Sequence, residues 1–523
     1  MRTRAMHRAI LSAFLCVGAA ATLSAQATDR SASPAPSTLR LTVDEAVKMA
    51  LDHNVDLVAA RLEPQVGDTR VASAMGAFRP AFSTSFQRNN QLQPPASFLV
   101  PAATRTDTVT TTVGVNQKLP RYGTSYSLSW NGAHTDSNSF LNSYNPILQT
   151  GLFLNVSQPL IRDLAIDDAR RQLATSRLDR DIAGTRLRER LVRTVADVKS
   201  AYWNLVSAHA NVDARKVALE LAQELERVNR AKVDVGQSPP LDLVAAQAEV
   251  AADQEQLIIA QTAVKQDEDR LRALIFDASD RSVWAVPIDP IDPPPLQRVA
   301  MDVEAAVTNA LRDRPDLERA RRDIDNAQVT VKFAGNQRLP DVRLNASYLA
   351  SGLGGTQIQR TGGFPGTIVG AGADVGFGSV LNQLFTSRYP TWTVGVSVTY
   401  PIGQSTEQAD YARATLERTQ SEQRLKSAES QAIRQVRDAW WKVEMNARRI
   451  ETTRAQRELA EQRLDAEGKR FDVGISTNFL VIQAQRDLAQ AKTSELAAIL
   501  AYALALVDFE ALQQAGPAAD RSE

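Results

Sequence analysis

Side chains capable of catalysis or metal binding are few and scattered in this 523-residue sequence. The histidines His7, His53, His134 and His209 are isolated from one another, and Cys16 is the single cysteine. Nucleophilic and metal-dependent chemistry needs such groups at defined spacing, as in HExxH, GxSxG or phosphate-loop motifs, and none of these motifs occurs. The sequence therefore predicts no enzyme, no cofactor and no metal site.

Two turns recur instead, at an offset of 238 residues (472 − 234). In each, a charged, Ala-rich stretch ends in Asp-Val-Gly, and a second helical stretch begins after a serine. Glycine suits the left-handed position just past a helix, and Ser238, Ser476 or Thr477 would cap the helix that follows. The segments around Val235-Gly236 and Val473-Gly474 are therefore predicted to be the tips of two long helical hairpins.

The first 27 residues have the order of a secretory signal peptide. Three arginines precede an apolar run, and Ala-Gln-Ala at 25–27 fits a cleavage site. Cys16 lies inside this segment, so the predicted mature chain has no thiol. Residues 28–40, rich in Ser, Ala and Pro, are predicted as a flexible lead. Residues 514–523 are predicted as a disordered tail.

Composition excludes two classes of protein. Lys+Arg and Asp+Glu both number 60, so no global charge points to nucleic acid. Beyond residue 25, no stretch approaches the ~20 consecutive apolar residues of a membrane helix. This excludes a polytopic helical membrane protein.

A second duplication, at an offset of 260 residues (303 − 43), covers a helix opening. In the first copy, Thr42 and Glu45 form a capping box ahead of apolar residues at helical spacing. Together with the turns, this indicates an internal two-fold repeat over 41–284 and 299–513. The connector at 285–298 is rich in proline and is predicted to be extended.

Each repeat alternates between helical and strand-like patterns. The predicted helices are 43–77, 160–235, 239–276, 302–337, 402–473 and 477–512. The predicted strands are about 81–90, 108–117, 122–131, 150–158, 341–350 and 391–400. Some ten alternating residues with aromatics near the ends are typical of an outer-membrane strand, although a half-buried strand of a soluble sheet has the same pattern. The Gly-rich segment 351–389 is predicted as a loop.

The helix lengths predict a tall helical wall. The helix that ends at Gly236 is roughly 110 Å long at 1.5 Å per residue, and its flanking helices are each about half as long. Two short helices laid end to end would therefore match one long helix. Charged residues between the apolar positions indicate solvated faces, as in coiled coils.

In this order, and twice over, these features resemble TolC-family outer-membrane efflux proteins. The resemblance rests on the duplicated opening, the strands that follow proline, the two Val-Gly tips, and the entries Gln158-Pro159-Leu160 and Tyr400-Pro401-Ile402 into the long helices. It implies an α+β membrane protein in which three copies share one transmembrane β-barrel. Their long antiparallel helices would form a coiled-coil barrel through the periplasm.

The resemblance also implies a function and partners. The protein would be a passive export conduit of the outer membrane, gated at the helical tips. Its partners would be a periplasmic adaptor and an inner-membrane pump, as in tripartite efflux and type I secretion. The resemblance leaves the substrate open among drugs, metal ions and proteins.

Family tips carry acidic residues at a constriction, and Asp242 occupies such a position. The second repeat has Leu480 and Gln483 there, which departs from a double acidic ring. Asp242 is thus predicted as the pore constriction, or alternatively as a solvent-facing aspartate favoured by the helix dipole. The candidate adaptor contacts, whose other role would be capping and packing, are Val235, Gly236, Leu241, Val473, Gly474 and Phe479.

Three further interpretations each have an alternative: the role of the aromatic pairs, the place of the additional strands, and the function itself. The pairs Tyr202-Trp203 and Trp440-Trp441 are predicted to pack between helices rather than to bind a ligand. The strands near 108–117 and 122–131 exceed the family's usual four per chain, so they either form an extracellular hairpin or widen the barrel. An exported coiled-coil scaffold without a pore is the alternative function, but it leaves the alternating strands unexplained.

Overall fold

The computed structural model describes residues 38–95, 102–277, 281–296, 301–363, 366–400 and 405–513. The predicted signal peptide, the predicted tail and most of the predicted lead lie outside these described residues. In chain order the elements are β1 Leu39–Leu41, α1 Val43–His53, α2 Val55–Gly76, β2 Ala81–Gln93, β3 Thr104–Lys118, β4 Ser125–Ser137, β5 Tyr144–Pro159, α3 Asp168–Asp234, α4 Pro240–Ile275, β6 Ile288–Pro290, α5 Val303–Asp313, α6 Pro315–Gln337, β7 Asp341–Thr361, β8 Thr367–Val375, α7 Phe377–Phe385, β9 Tyr389–Thr399, α8 Thr406–Asp472 and α9 Asn478–Gln513.

The four longest helices come in two matched pairs. Helices α3 and α8 have 67 residues each, and α4 and α9 have 36 each. At 1.5 Å per residue these are about 100 Å and about 54 Å long. Among the helices of the described ranges, none combines the length and the apolar character needed to cross a membrane.

The first long helix begins at Asp168, so its prediction from residue 160 is wrong at this end. Asp163 has a positive φ of 64°, which no helical residue adopts. Asp167 then caps the helix by accepting a hydrogen bond from the amide of Arg170 at 2.8 Å. Although burial opposes ionisation, that amide and the ammonium of Lys118 hold the pKa of Asp167 below its usual range. Because Lys118 ends β3, this ion pair of 3.1 Å joins the sheet to the helix.

Both opening helices are broken by one extended residue, which corrects the continuous helices predicted over 43–77 and 302–337. The capping box of Thr42 is confirmed. At the first break, the side chain of Asn54 accepts from the amide of Leu57 at 3.0 Å and starts a new helix. At the second break, Arg314 precedes a proline, and a residue before proline disfavours the helical region.

Helix α3 contacts helices of both halves of the chain. It packs against α2 and α6 along one part of its length and against α4 and α9 along another, while α8 packs against α5, α6 and α9. One apolar core contains Tyr202 and Leu205 of α3 with Leu271 of α4. A second core contains Val436 of α8 and Tyr502 of α9.

The predicted packing role of the aromatic pairs holds for three of the four residues. Tyr202 is fully buried, and Trp203 and Trp440 pack against the two cores. Trp441 is 61% exposed in the single chain, so its packing between helices stays a prediction.

The proline-rich connector is held against the helices. Its strand β6 pairs in parallel with β1. The carboxylate of Asp292 accepts hydrogen bonds from the Val43 amide at 2.6 Å and the Tyr202 hydroxyl at 3.1 Å. Burial raises the pKa of Tyr202 to about 12. The connector therefore closes one core rather than acting only as a spacer.

The long strands form one antiparallel sheet in the order β2, β3, β4, β5, β7. Strand β9 pairs with Asp341–Ser351 of β7, and β8 pairs with Gly355–Thr361 of the same strand. Within the described residues, the outer edges of β2 and β9 pair with no strand. The sheet therefore ends in two long unpaired edges.

The Gly-rich segment predicted as a loop at 351–389 is largely ordered structure, which corrects that prediction. Strand β7 continues into it, turns into β8, and is followed by α7. Val380 and Leu384 bury one face of α7 against the sheet. A Cβ at Gly352 or Gly354 would overlap Val380, so glycine at these positions lets the helix approach the strand.

Candidate functional site at the helical hairpin tips

Each hairpin tip is a glycine turn with two specific backbone hydrogen bonds. Gly236 has φ +74° and Gly474 has φ +76°, which confirms the predicted left-handed conformation. The Gly236 amide donates to the Val233 carbonyl at 3.0 Å, and the next amide donates to the Lys232 carbonyl at 2.8 Å. The tip at Gly474 repeats this pattern. The pair of bonds is the Schellman arrangement, which satisfies carbonyls at a helix end.

The predicted cap Ser238 is wrong, and of the two candidates in the second hairpin the structure favours Thr477 over Ser476. Pro239 occupies the N-cap of α4 and Pro240 the first turn, with no side-chain cap hydrogen bond. In the second hairpin, the hydroxyl of Ser476 donates back to Glu467 of α8 at 2.8 Å. The carbonyl of Thr477 accepts from the amide of Val481 at 3.4 Å, as an N-cap residue does.

The predicted adaptor contacts other than the two glycines are exposed apolar side chains at equivalent places on the two tips. Val235 and Leu241 are 68% and 74% exposed in the first hairpin. Val473 and Phe479 are 70% and 69% exposed in the second. Sequence reasoning missed Ile475, which is exposed beside them. An apolar residue directly after the tip glycine was the signal that would have found it.

Buried polar contacts join the two hairpins near their tips. The Asn229 amide nitrogen of α3 donates to Oδ1 of Asn478 of α9 at 2.8 Å. Asn478 donates in turn to the Asp242 carbonyl of α4 at 3.1 Å. The ammonium of Lys232 lies 3.5 Å from the ring centroid of Phe471 and donates to its carbonyl at 3.3 Å. These contacts connect residues more than two hundred positions apart in the chain.

A small apolar cluster supports the polar contacts. Leu225 of α3 packs with Phe471 of α8 and with Val481 and Ile482 of α9. Such burial stabilises by about 25 cal/mol per Å² of apolar area removed from water. The hairpins are therefore held together by both apolar packing and hydrogen bonds.

A half-buried ion pair joins α4 to α9 further from the tips. Arg486 donates to Glu249 from Nη2 at 2.5 Å and from Nε at 3.0 Å. Glu249 is 6% exposed, and it follows the fully buried Ala246 by three residues on the same helical face. Sequence reasoning missed this pair, because the spacing indicates only which face of α4 Glu249 lies on and not its partner on α9.

A cavity of about 210 Å³ lies beside this ion pair. Its charged lining residues include Arg215, Glu249, Asp253 and Arg486. Burial and the nearby charge of Glu249 raise the pKa of Asp253 above its usual value. The negative charge of ionised Asp253 therefore destabilises this contact between α4 and α9, because it is partly buried beside the charge of Glu249.

Asp242 lies in the first turn of α4 and is half-buried. Within the chain, its contact with the second hairpin runs through its carbonyl to Asn478, and its equivalent Leu480 is 41% exposed. The structure thus places Asp242 and the predicted apolar contacts in the same tip region. Among the described residues, no group of three or more His, Cys, Asp or Glu side chains is arranged to hold a metal ion.

Three solved structures with the same fold are of outer-membrane proteins. The Campylobacter jejuni CmeC channel is 16% identical, with a TM-score of 0.65 over 91% of this chain and 86% of that one. The outer membrane protein VceC of Vibrio cholerae is 16% identical, with a TM-score of 0.64 over 90% and 96%. The open state of the Neisseria gonorrhoeae MtrE channel is 18% identical, with a TM-score of 0.60 over 94% of each chain.

A comparison with curated protein sequences gives no match. The sequence model of the outer membrane efflux protein family matches residues 102–275 and 306–513. These two segments hold most of the sheet, all four long helices and both hairpin tips. The family is one of transport proteins, and the chain belongs to the outer membrane efflux protein family.

Proposed function

We propose that this protein is a passive outer-membrane conduit that exports substrates delivered by an inner-membrane pump and a periplasmic adaptor. Three copies share one transmembrane barrel, and their helices continue the passage through the periplasm. The observation that carries the proposal is the antiparallel sheet whose two long edges are unpaired beside helices about 100 Å long.

The sheet edges support a barrel shared between copies. An unpaired strand edge in lipid leaves backbone groups without hydrogen bonds, so only closed barrels are stable there. Strands β2 and β9 run in opposite directions, because each neighbouring pair between them is antiparallel. The β2 edge of one copy can therefore pair with the β9 edge of the next.

The side chains of the sheet support its position in the membrane. Val394, Val396 and Val398 project from one face of β9 and are at least 60% exposed in the single chain. On the same face of the sheet, charge first occurs at Arg88 and Asp107, which form an ion pair towards the far ends of β2 and β3. An outward-facing apolar band of limited height is what a lipid-facing barrel surface requires.

The tips support docking of an adaptor. The exposed apolar side chains of Val235, Leu241, Ile475 and Phe479 project from the turns on both hairpins. Apolar surface of this kind marks sites of protein association. In the proposed assembly, three copies would present six such turns in one ring.

The contacts between hairpins support gating at the same end. Opening requires one hairpin of each copy to move relative to the other. This movement breaks the hydrogen bonds of Asn478 and the ion pair of Glu249 with Arg486. These contacts would hold the tip in the present conformation until the adaptor and pump engage it.

The experiment that tests the conduit is membrane fractionation followed by the mass of the detergent-extracted particle. We expect the protein in the outer-membrane fraction, at about three times the mass of one chain. A monomer released by salt alone would contradict shared-barrel closure. That result would favour an exported coiled-coil scaffold without a pore.

A further inference from the structure

The two halves of the chain contribute unequal numbers of strands to the sheet. Between α2 and α3 lie four long strands, β2 to β5. Between α6 and α8 lie two strands of the main sheet, β7 and β9, with β8 and α7 between them. The hairpin β3–β4 is therefore an addition to the first half, and its place relative to the membrane follows from its register.

The hairpin is paired along most of its length with the strands on either side. Thirteen consecutive residues of β2, Ala81–Gln93, pair with β3, and β4 pairs with β5 from Ser125 to Thr135. A hairpin that projected beyond the sheet would pair with itself above the ends of β2 and β5. Instead, β3 and β4 separate β2 from β5 at every level of the sheet.

Two adjacent residue rows that cross the sheet near its helix-proximal end keep the same character through the hairpin. One row is apolar on all six strands, and its pairwise partners are Phe82, Val115, Leu128, Leu154, Tyr348 and Trp392. The adjacent row, on the opposite face, is small or polar throughout: Ala81, Asn116, Ser127, Asn155, Ser347 and Thr393. Successive residues of a strand alternate between faces, so β3 and β4 share the apolar face of their neighbours.

The strand lengths also fit a membrane position. Strand β3 has 15 residues and β4 has 13. A tilted strand crosses a bilayer in about 9–11 residues. Both strands of the hairpin can therefore span the same layer as β2, β5, β7 and β9.

We propose that β3 and β4 are membrane-spanning wall strands, so that each copy contributes six strands to the shared barrel. This inference rests on the proposed function. Six strands from each of three copies make a barrel of eighteen, closed by β2 of one copy against β9 of the next. Because six is an even number, this seam is antiparallel like every other pair of the main sheet.

The added strands change the dimensions of the conduit. Barrel diameter grows roughly linearly with strand number, so six strands per copy give a barrel about one and a half times as wide as four per copy. The narrow point of the conduit then lies among the helices rather than in the membrane. Selection among substrates would be left to the helical tips and to the partners that bind them.

Cysteine labelling in outer-membrane vesicles tests the inference on the full chain. The only native cysteine, Cys16, lies in the predicted signal peptide, so introduced cysteines report alone. On β3, we expect Thr112→Cys to react with a water-soluble maleimide and Val113→Cys to react only with a lipid-soluble one. On β4, Ser129→Cys and Leu128→Cys should show the same contrast. Equal labelling of both faces by the water-soluble reagent would overturn the inference.

A control pair on β7 separates failure of this inference from failure of the proposed function. Ser347→Cys and Tyr348→Cys lie on opposite faces of a strand that belongs to the wall in either case. Contrast on β7 without contrast on β3 and β4 would place the hairpin outside the membrane and leave the conduit intact. Absence of contrast on β7 would contradict the membrane location itself.

A strand count of the purified particle gives a second, independent measurement. Electron cryomicroscopy of the detergent-extracted assembly should show eighteen strands in the barrel wall. Twelve strands in a trimer, with β3 and β4 lying beyond the barrel, would overturn the inference.

Discussion

Arg486→Ala removes the cation that binds the buried carboxylate of Glu249 between α9 and α4. In the present conformation Arg486 contacts both carboxylate oxygens, from Nε and Nη2. The substitution leaves Glu249 charged beside Asp253, whose pKa is already raised by burial and by the charge of Glu249. The variant should therefore weaken the contact between the two hairpins and favour the open tip.

The magnitude follows from the exposure of the two side chains. Removing one partner of a fully buried ion pair costs about 3–5 kcal/mol. The Glu249 side chain is only 7% exposed, but that of Arg486 is 59% exposed, so water reaches part of the pair. We therefore expect about half of the full effect, roughly 1.5–2.5 kcal/mol. Since 1.4 kcal/mol is a factor of ten, the ratio of open to closed tips should rise about 10- to 60-fold.

Single-channel recording in planar bilayers measures this ratio directly. The matched control is Lys469→Ala, which removes an exposed ion pair with Asp465 within α8 near the same tip. An exposed pair contributes about 0–1 kcal/mol, so the control should leave open probability nearly unchanged. In cells, Arg486→Ala should also admit a large hydrophilic antibiotic that the outer membrane excludes.

An Arg486→Ala channel with the open probability of the Lys469→Ala control would refute the reasoning. In that case the ion pair would stabilise the helices without resisting movement of the hairpins. The thermal stability and mass of the purified particle separate loss of folding from opening, because opening of the tip alone would leave both nearly unchanged.

Three further predictions concern the core, a tip turn and the constriction. Tyr202→Phe should lower the free energy of unfolding by about 1–3 kcal/mol, because the buried partners of the hydroxyl are left unpaired. Burial raises the pKa of Tyr202 to about 12, so the stability that the neutral hydroxyl contributes is present below pH 10 and is lost as the pH rises towards 12. Alkaline denaturation curves should show this loss in the native chain and not in the variant. Gly474→Ala should destabilise the tip by about 1–2 kcal/mol, because alanine disfavours the positive φ of this position, whereas Gly468→Ala within α8 should stabilise the protein by up to about 1 kcal/mol. Thermal unfolding and limited proteolysis of the turn measure the difference, and equal behaviour of the two variants would contradict it. Asp242→Ala should lower single-channel cation selectivity if three copies of this carboxylate line the constriction, and an unchanged ion selectivity would leave Asp242 as a first-turn residue favoured by the helix dipole.

The features that the sequence predicted correctly depend on partners close together in the chain. The capping box of Thr42 joins residues three apart, and the tip at Gly236 closes hydrogen bonds over three and five residues. Helical and alternating periods report which face of an element is buried, so the long helices and the strands could also be predicted from the pattern. Breaks such as the one at Asn54 escaped prediction because the apolar period continues across them.

Tertiary structure decided the contacts that connect distant parts of the chain. Glu249 and Arg486 are 237 positions apart, and neither the pairing nor its burial follows from helical spacing alone. The same holds for Asn229 with Asn478, and for Val380 of α7 against the glycines of β7. Such partners are chosen by how whole helices and strands pack, which no local pattern encodes.

The sheet shows the division most clearly. The alternating pattern predicted an apolar and a polar face for each strand, including the two strands of the added hairpin. Only the register aligned Val115 with Phe82 on one side and Leu128 on the other, and so placed β3 and β4 inside the sheet. A shift of one residue would have moved each apolar row to the opposite face, and the pairing of neighbouring strands is what fixes that choice.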